Sequence, residues 1–490
     1  MKTTKSKWYR PDASPVLAQT AIAQIAFCTL ITCASTASAD PAEFSGWVNA
    51  QTRYYPQTGE TVDETVYPAA AVQLEYSQAL SESDQLTGTV FVRGDSVDDE
   101  RNYADIRELL WLHSADAYQF RAGVGQVSWG VNELFKITDL INQKDRAELP
   151  FQRKMGQPLA SLSFYLGEDL IELYTLYGLR EAWYPGEDGR LRYPILTDND
   201  NAEYDWGATN RWDFAGRWKT RLWDMDIALS HFYGMTRDPY FIFNYDFNNP
   251  LLVPVYEKVN QSNVEWQYAW NDLLLKAEYT YQTGSLEQFE SAAGGFEYTF
   301  GSVFGSAMDV TWYVEGIWDS RDHIYSTLLD HDVGVAARLA LNDARDSNLI
   351  LGVVADTQYD EMFGTLFWTN TFGEHWTLNL TGQYFMANDD RYDPRDYIPF
   401  FEQLVRENPA SPESIDYLLS LVGDVTISKA QYDRVLEFAE QLEQPDYWAS
   451  VDVATVPQTL FDLLRVSDNS QKMNLIERDS YVQVDVYYHF

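Results

Sequence analysis

Segments of roughly ten residues, in which apolar and polar side chains alternate, recur along almost the whole chain, and few folds can use such a pattern. Eighteen of them can be read, at 45–55, 67–80, 85–95, 103–113, 117–129, 157–166, 169–180, 206–221, 223–236, 252–268, 272–283, 292–300, 307–318, 331–342, 347–358, 361–372, 375–387 and 480–490. Alternation with a period of two is the mark of a strand with one apolar and one polar face. Each segment has the length that crosses a bilayer as a tilted strand. The last shows the pattern most plainly: Val482, Val484, Val486, Tyr488 and Phe490 fall on one face, and Gln483, Asp485, Tyr487 and His489 on the other. After the first 39 residues there is no run of about 20 apolar residues, so no helical span is expected.

The connections carry a second regularity. The even-numbered ones are short, such as Ser81-Glu82-Ser83-Asp84, Gly167-Glu168, Trp223-Asp224 and Phe372-Gly373-Glu374. The odd-numbered ones are mostly long, at 56–66, 130–156, 181–205, 237–251, 284–291, 319–330 and 388–479. Short turns on one side and long loops on the other are what a transmembrane antiparallel barrel produces. The predicted fold is therefore an all-β transmembrane barrel of about 18 strands, with 16 as the alternative count.

The ends agree with export. Lys2, Lys5, Lys7 and Arg10 precede an apolar stretch, Ala21 to Leu30, and Ala37-Ser38-Ala39 stands before Asp40. This is the layout of a cleavable signal peptide over 1–39, leaving 40–490 as the barrel. Both cysteines, Cys28 and Cys33, fall in that segment, so no disulfide or thiolate-bound metal is expected in the remainder. An alternating strand that finishes on an aromatic, here Phe490, resembles the signal that barrel assembly machinery reads in outer-membrane proteins. That machinery is an expected partner, along with outer-membrane lipid and lipopolysaccharide.

Composition separates the remaining options. Aromatics make up 15% of the chain, with 33 Tyr and 16 Trp, which suits the aromatic girdles of a barrel at both membrane interfaces. The formal charge of −39 argues against nucleic-acid binding, which needs a basic footprint. The segment 388–479 stands apart: it holds Pro394, Pro399, Pro409, Pro412, Pro445 and Pro457, and Ser428 to Gln431 reads as a capping box before residues at helical spacing. A helical insertion in the last outer loop is expected there, as a plug, a lid or an outer decoration.

With the apolar faces turned to lipid, the other faces give the lumen. Strands 1 to 8 would turn inward Arg53, Arg93, Arg121, Arg211, Asp213, Arg217, Lys219 and Arg221. Strands 10 to 18 would turn inward Glu265, Glu278, Glu297, Glu315 and Asp356, with Arg338 as an exception. Opposed basic and acidic walls would set a transverse field across a narrow pore. The same residues could instead fill the barrel with ion pairs. In the fourth strand the alternation forces either Arg107 or Glu108 outward, and it does not say which.

No catalytic site is expected. The six His, at 113, 231, 323, 331, 375 and 489, are dispersed, and neither a phosphate-binding Gly loop nor a paired-His helix is present. No cofactor or resident metal is expected either. The acidic run Asp198-Asn199-Asp200-Asn201 and the triplet Asp330-His331-Asp332 are weak cation candidates that read more simply as solvated loops.

Residues 107–130, from Arg107-Glu108-Leu109-Leu110-Trp111 to Gly125-Gln126-Val127-Ser128-Trp129-Gly130, together with the following loop that holds Asp139, Asn142, Asp145 and Pro150, resemble porin-like outer-membrane families, including the alginate-export family and related uncharacterised porins. Gly125 stands where those families commonly carry Arg. The resemblance implies a barrel of about 18 strands with a transport role. The expected function is a monomeric or trimeric outer-membrane channel that passes a small polar or charged solute, narrowed by the loop at 130–156 or that at 388–479. The rival is a barrel with an adhesive or partner-docking role through 388–479, and a barrel enzyme stands behind both.

Overall fold

The computed structural model describes residues 41–147, 152–204, 212–244, 251–321, 329–387 and 472–490. Eighteen strands form one antiparallel sheet closed on itself. They are β1 Glu43–Tyr54, β2 Val66–Ala79, β3 Asp84–Asp95, β4 Tyr103–Ser114, β5 Tyr118–Gly125, β6 Gln157–Leu166, β7 Asp169–Tyr177, β8 Trp212–Leu222 and β9 Met225–Met235. Then follow β10 Lys258–Trp270, β11 Leu273–Thr283, β12 Gln288–Phe300, β13 Asp309–Asp319, β14 Asp332–Ala340, β15 Asn348–Asp356, β16 Met362–Phe372, β17 Trp376–Met386 and β18 Tyr481–His489. Each strand pairs with its neighbours in sequence, and β1 pairs with β18 from Trp47 opposite His489 to Tyr54 opposite Val482. The seam is finished by reciprocal backbone bonds between Gly46 and Phe490, at 3.2 and 3.1 Å. Closure leaves no strand edge unpaired, the condition for a sheet to sit in hydrocarbon.

Side-chain chemistry sorts by face as the alternation requires. On β1, Asn49, Gln51 and Arg53 are buried inside, while Val48 and Tyr54 are exposed outside. On β8, Trp212, Phe214, Trp218 and Leu222 face outward. Val482, Val484 and Val486 do the same on β18. An exterior of Trp, Phe, Leu and Val over a polar interior has no place in water and fits a bilayer. Among the described residues no helix is long and apolar enough to cross a membrane.

The short turns lie at one end of the barrel. Trp223 and Asp224 join β8 to β9 with φ of 56° and 85°, the left-handed pair that a two-residue hairpin needs. Gly167, at φ 69°, does the same work between β6 and β7 at no steric cost. The described parts of the long loops gather at the other end, where several pack into a second layer. Residues 252–256, expected as the start of the tenth strand, leave the wall: Leu251–Tyr256 pairs with Tyr240–Phe243, Leu196–Thr197 and Glu203–Tyr204 in a small separate sheet. The segment is an unbroken apolar run, Leu-Leu-Val-Pro-Val-Tyr, buried on both faces, and such a run reads as a strand without saying which sheet it joins. Tyr55, Tyr67, Tyr184, Leu252, Met473, Leu475 and Tyr481 form the core of this layer. Arg190 clamps it, donating to Asp479 and to the backbone carbonyls of Gln57, Glu64 and Arg478. Burial pushes the Asp479 carboxyl above its ordinary range, against the pull of Arg190.

The fourth strand resolves differently from either option in the alternation. Register shifts between Thr89 and Val90 of β3, so that Thr89 stands opposite Glu108 and Val90 opposite Ile106. Arg107 is the extra residue of this β-bulge. Its guanidinium donates to Gln73 at 2.6 Å and lies 3.6 Å from the Phe91 ring centre, inside the barrel. Glu108 faces inward too, opposite the inward Thr89, so neither charge is turned to lipid.

Two expectations fall largely outside the described residues: the signal segment 1–39, and the helical insertion at 388–479 apart from residues 472–479. Those last residues form two short 3-10 turns, Met473–Leu475 and Glu477–Asp479.

Candidate functional site

The chain leaves the wall after Gly125 and turns into the lumen. Asn142 fixes this entry by accepting from Val127 N at 2.7 Å and donating to the carbonyls of Gly125 and Met155 at 2.9 and 2.8 Å. Lys154 bridges the two limbs of the loop, donating to Val127 O, Ser128 Oγ and Asp139 Oδ1, each at 2.7 Å. Burial holds its ammonium below the usual lysine range, although Asp139 pulls the other way. Beneath the loop, the inner faces of β4 to β10 carry an apolar patch among their polar residues. Leu110, Leu159, Tyr174, Leu176, Ala215, Phe232 and Val259 form an apolar floor that Val127, Trp129, Leu140 and Ile141 cover. Burying such side chains stabilises the folded-in loop by about 1.5–3 kcal/mol for each large one.

The tip of the loop is held by two wall carboxylates. Glu278 accepts from the backbone N–H of Val131 and Asn132 through Oε1, at 2.6 and 2.7 Å. Its Oε2 accepts from Ile137 N and Thr138 N at 3.0 and 3.1 Å. Glu315 accepts from Glu133 N at 2.8 Å, Leu134 N at 2.7 Å and Phe135 N at 3.2 Å. A run of converging backbone N–H groups is an anion cradle, and here the barrel itself supplies the anions. Gly130 allows the approach: its φ is +94°, and a Cβ there would stand 3.0 Å from Glu278 Oε1.

The remaining residues expected in the lumen have these places. Arg53 donates to Gln483 at 2.8 Å and stacks 4.4 Å over the Tyr481 ring. Arg93 donates to Arg101 O at 2.9 Å and lies 3.6 Å from Asp145 of the folded-in loop. Arg121 reaches Ser161 Oγ at 3.1 Å. Asp213 pairs with Arg237 at 3.0 Å, and Arg237 also donates to Ile141 O at 3.0 Å. Arg217 pairs with Glu265 and lies 3.8 Å from Glu172. Glu297 pairs with Lys276 at 2.7 Å. Lys219 and Arg221 share the inward face of β8 toward the short-turn end, where they are exposed. Arg338 is exposed at the same end and donates to Asn348 at 3.2 Å. Asp356 sits at the opposite rim, 4.0 Å from Lys472. Arg211 lies outside the described residues. The structure thus brings Arg217 and Glu265 together directly and spends Glu278 and Glu315 on backbone N–H groups.

Between the folded-in loop and the outer layer is a cavity of about 590 Å³, within the usual range for small-molecule sites. Its described lining carries Lys136, Lys144, Arg146, Lys154, Arg192, Arg237, Arg321 and Lys472 against Glu133, Asp139, Asp238 and Asp319, with Phe241, Phe289, Phe363 and Phe385 between them. Most of these cations have a carboxylate: Arg146 has Asp238, Arg321 has Asp319 at 2.7 Å, and Lys472 has Asp330 at 2.6 Å. Arg192 donates only to backbone carbonyls, those of Gly189, Tyr193, Pro194 and Glu187. Lys144 makes no ion pair with a described residue. None of these cations was identified from the sequence as a lumen residue, because most sit in loops or loop-proximal turns rather than on alternating strands. Gln126 to Trp129, expected as the end of the fifth strand, instead lie where the chain leaves the wall and turns inward after Gly125.

Asn142→Ala removes a buried side chain with three backbone partners. Each partner left unsatisfied costs about 1–3 kcal/mol, so the loop should lose its fixed entry while the barrel stays closed. Amide exchange at Val127 measured against β-strand amides reads this; equal protection of Val127 in both proteins would contradict it.

No family model matches the chain, and no curated protein matches it. Among solved structures it is similar to Pseudomonas aeruginosa OpdO, at 9% identity and a TM-score of 0.44, covering 71% of this chain and 93% of that one. It is similar to Wzi of Escherichia coli, described as a carbohydrate-binding β-barrel of group 1 capsule assembly, at 11% identity and a TM-score of 0.41, covering 76% and 85%. It is also similar to a Rhodopseudomonas blastica porin mutant, at 10% identity and a TM-score of 0.35, covering 65% and 96%. On its closed sheet and apolar exterior, the chain is an 18-stranded antiparallel β-barrel of the membrane-spanning kind.

Proposed function

We propose that the protein is a passive channel, not an enzyme, and that it passes a small organic anion across the outer membrane. The observation that carries this reading is the loop of residues 126–147, folded into the lumen and clamped there, below a cavity that stays open. A scaffold has no need to narrow its lumen with a rigid loop and keep a space above it. The sign comes from Lys144 and Arg192, cations without a described carboxylate partner, in a chain whose formal charge is −39. Arg presents a planar fork that suits a carboxylate or phosphate. Phenylalanines on the same walls offer contact to an apolar body. Lipid and lipopolysaccharide around the wall, and the machinery that inserts barrels, are its partners in this reading.

The test is a planar-bilayer recording of the full chain under a salt gradient. Steady current with a reversal potential on the anion side is expected, and Lys144→Glu with Arg192→Glu should move it toward cation selectivity. Absence of current would remove the channel reading. Current with an unmoved reversal potential would remove these two residues from the path.

A further inference from the structure

The outer rim holds a group of carboxylates that passage through the lumen does not use. Asp332 opens β14 and Asp356 closes β15, and the register sets them directly opposite each other. Like charges so placed on an antiparallel pair repel. Asp330 joins them, and one oxygen from each of the three lies within 4.8 Å of the others. Asp330 and Asp332 are 3% and 4% exposed. Glu361, also 3% exposed, comes from the β15–β16 connection, where its carbonyl accepts from Asp356 N at 3.0 Å. Its Oε1 accepts from Met473 N at 3.2 Å, but its Oε2 is buried with no hydrogen-bond partner, within the field of Asp356 and Lys472. His331 Nδ1, 3.9 Å from Asp330 Oδ1, is likewise buried and without a hydrogen-bond partner.

The cation now among these groups is Lys472. Its ammonium lies 2.6 Å from Asp330 Oδ1 and 4.0 Å from Asp356 Oδ2, out of line for a hydrogen bond. One ammonium against four buried carboxylates leaves negative charge uncompensated where water does not reach it, a costly arrangement. Two backbone N–H groups use part of the oxygen supply, Asp330 N to Asp332 at 2.9 Å and His331 N to Asp330 at 2.9 Å. Asp356 Oδ1 likewise accepts from Gln358 N and Tyr359 N, at 2.7 and 2.9 Å, and Glu361 Oε2 is left buried without a donor.

We propose that Asp330, Asp332, Asp356 and Glu361 form a site for a hard divalent cation of the calcium type, with Lys472 as its built-in competitor. Calcium takes about six to eight oxygens in irregular geometry, so carboxylates from three separate elements can serve it. When bound, the ion ties Asp330 and the start of β14 to the end of β15 and the β15–β16 connection, in the place the Lys472 ammonium now holds. The site lies at the long-loop rim of the barrel. The inference does not depend on the channel reading.

The experiment uses the full chain refolded in detergent without lipopolysaccharide, freed of metal with a chelator, and titrated calorimetrically with CaCl₂. One saturable site is expected. Asp332→Asn with Asp356→Asn should weaken it by about a hundredfold or more, because two of its anionic ligands are gone. Lys472→Met should tighten it by about tenfold, since a like charge a few ångströms away is removed. No saturable binding at millimolar calcium, or binding unchanged in the double variant, overturns the proposal. Should the double variant fail to form a barrel, Lys472→Met decides alone: unchanged or weaker calcium affinity overturns it.

Discussion

Replacing Glu278 and Glu315 together by Gln is expected to raise the single-channel conductance severalfold and to make it noisy, while the barrel still assembles. The substitution keeps the size of each side chain but turns one acceptor oxygen into an NH₂ donor. Glu278 uses both oxygens, for Val131 and Asn132 on one side and Ile137 and Thr138 on the other. One of those pairs must then face N–H against N–H. Hydrogen bonds to a charged group contribute about 1.5–3 kcal/mol each, so the tip of the loop loses most of what fixes it. The wall is untouched, because β11 and β13 keep their ladders to β10, β12 and β14. The loop's entry also keeps Asn142 and Lys154, so the tip swings while its base stays anchored. Each single variant should do much less than the pair, since the other carboxylate still holds neighbouring residues of the same tip; such coupled sites do not add. Conductance and noise equal to the parent in the double variant would mean that the loop does not limit the path.

The same two residues show where reading the sequence succeeds and where it stops. Their inward direction follows from the period of two, as it does for Arg53, Asp213 and Glu265. All eighteen wall strands are legible for that reason, with boundaries drifting where turns such as Trp223-Asp224 are made without Gly or Pro. What a carboxylate meets once inside is not legible. The partners of Glu278 are backbone groups about 140 residues away in sequence, and a backbone N–H has no side-chain signature. Arg217 and Glu265 could be placed on one face each, but only the register of β8, β9 and β10 brings them into a pair. The bulge at Arg107 is a third case, since one extra residue reverses the alternation with no change in composition. Leu251–Tyr256 is a fourth, a continuous apolar strand that pairs outside the wall.

The wall makes a prediction that depends on depth. Leu229 lies near the middle of β9, faces outward at 41% exposure, and stands between Trp218 of β8 and Val264 of β10. Val66 faces outward at 40% exposure but is the first residue of β2, at the long-loop rim. Water would treat the two positions alike, since exposure and neighbouring chemistry are close. A bilayer does not. Arginine at the midplane of a barrel's lipid face costs about 2–4 kcal/mol, falling to about 0–1 kcal/mol near the interface. Leu229→Arg should therefore lower the unfolding free energy by several times what Val66→Arg does, measured by denaturant titration of the protein folded in lipid vesicles. The gap should shrink in short-chain detergent micelles, where a guanidinium reaches water at any depth by extending its stem. If the two variants lose equal stability in vesicles, the band of Trp, Leu and Val around the barrel is not immersed in hydrocarbon, and the sheet closes for some other reason than to hide its backbone from lipid.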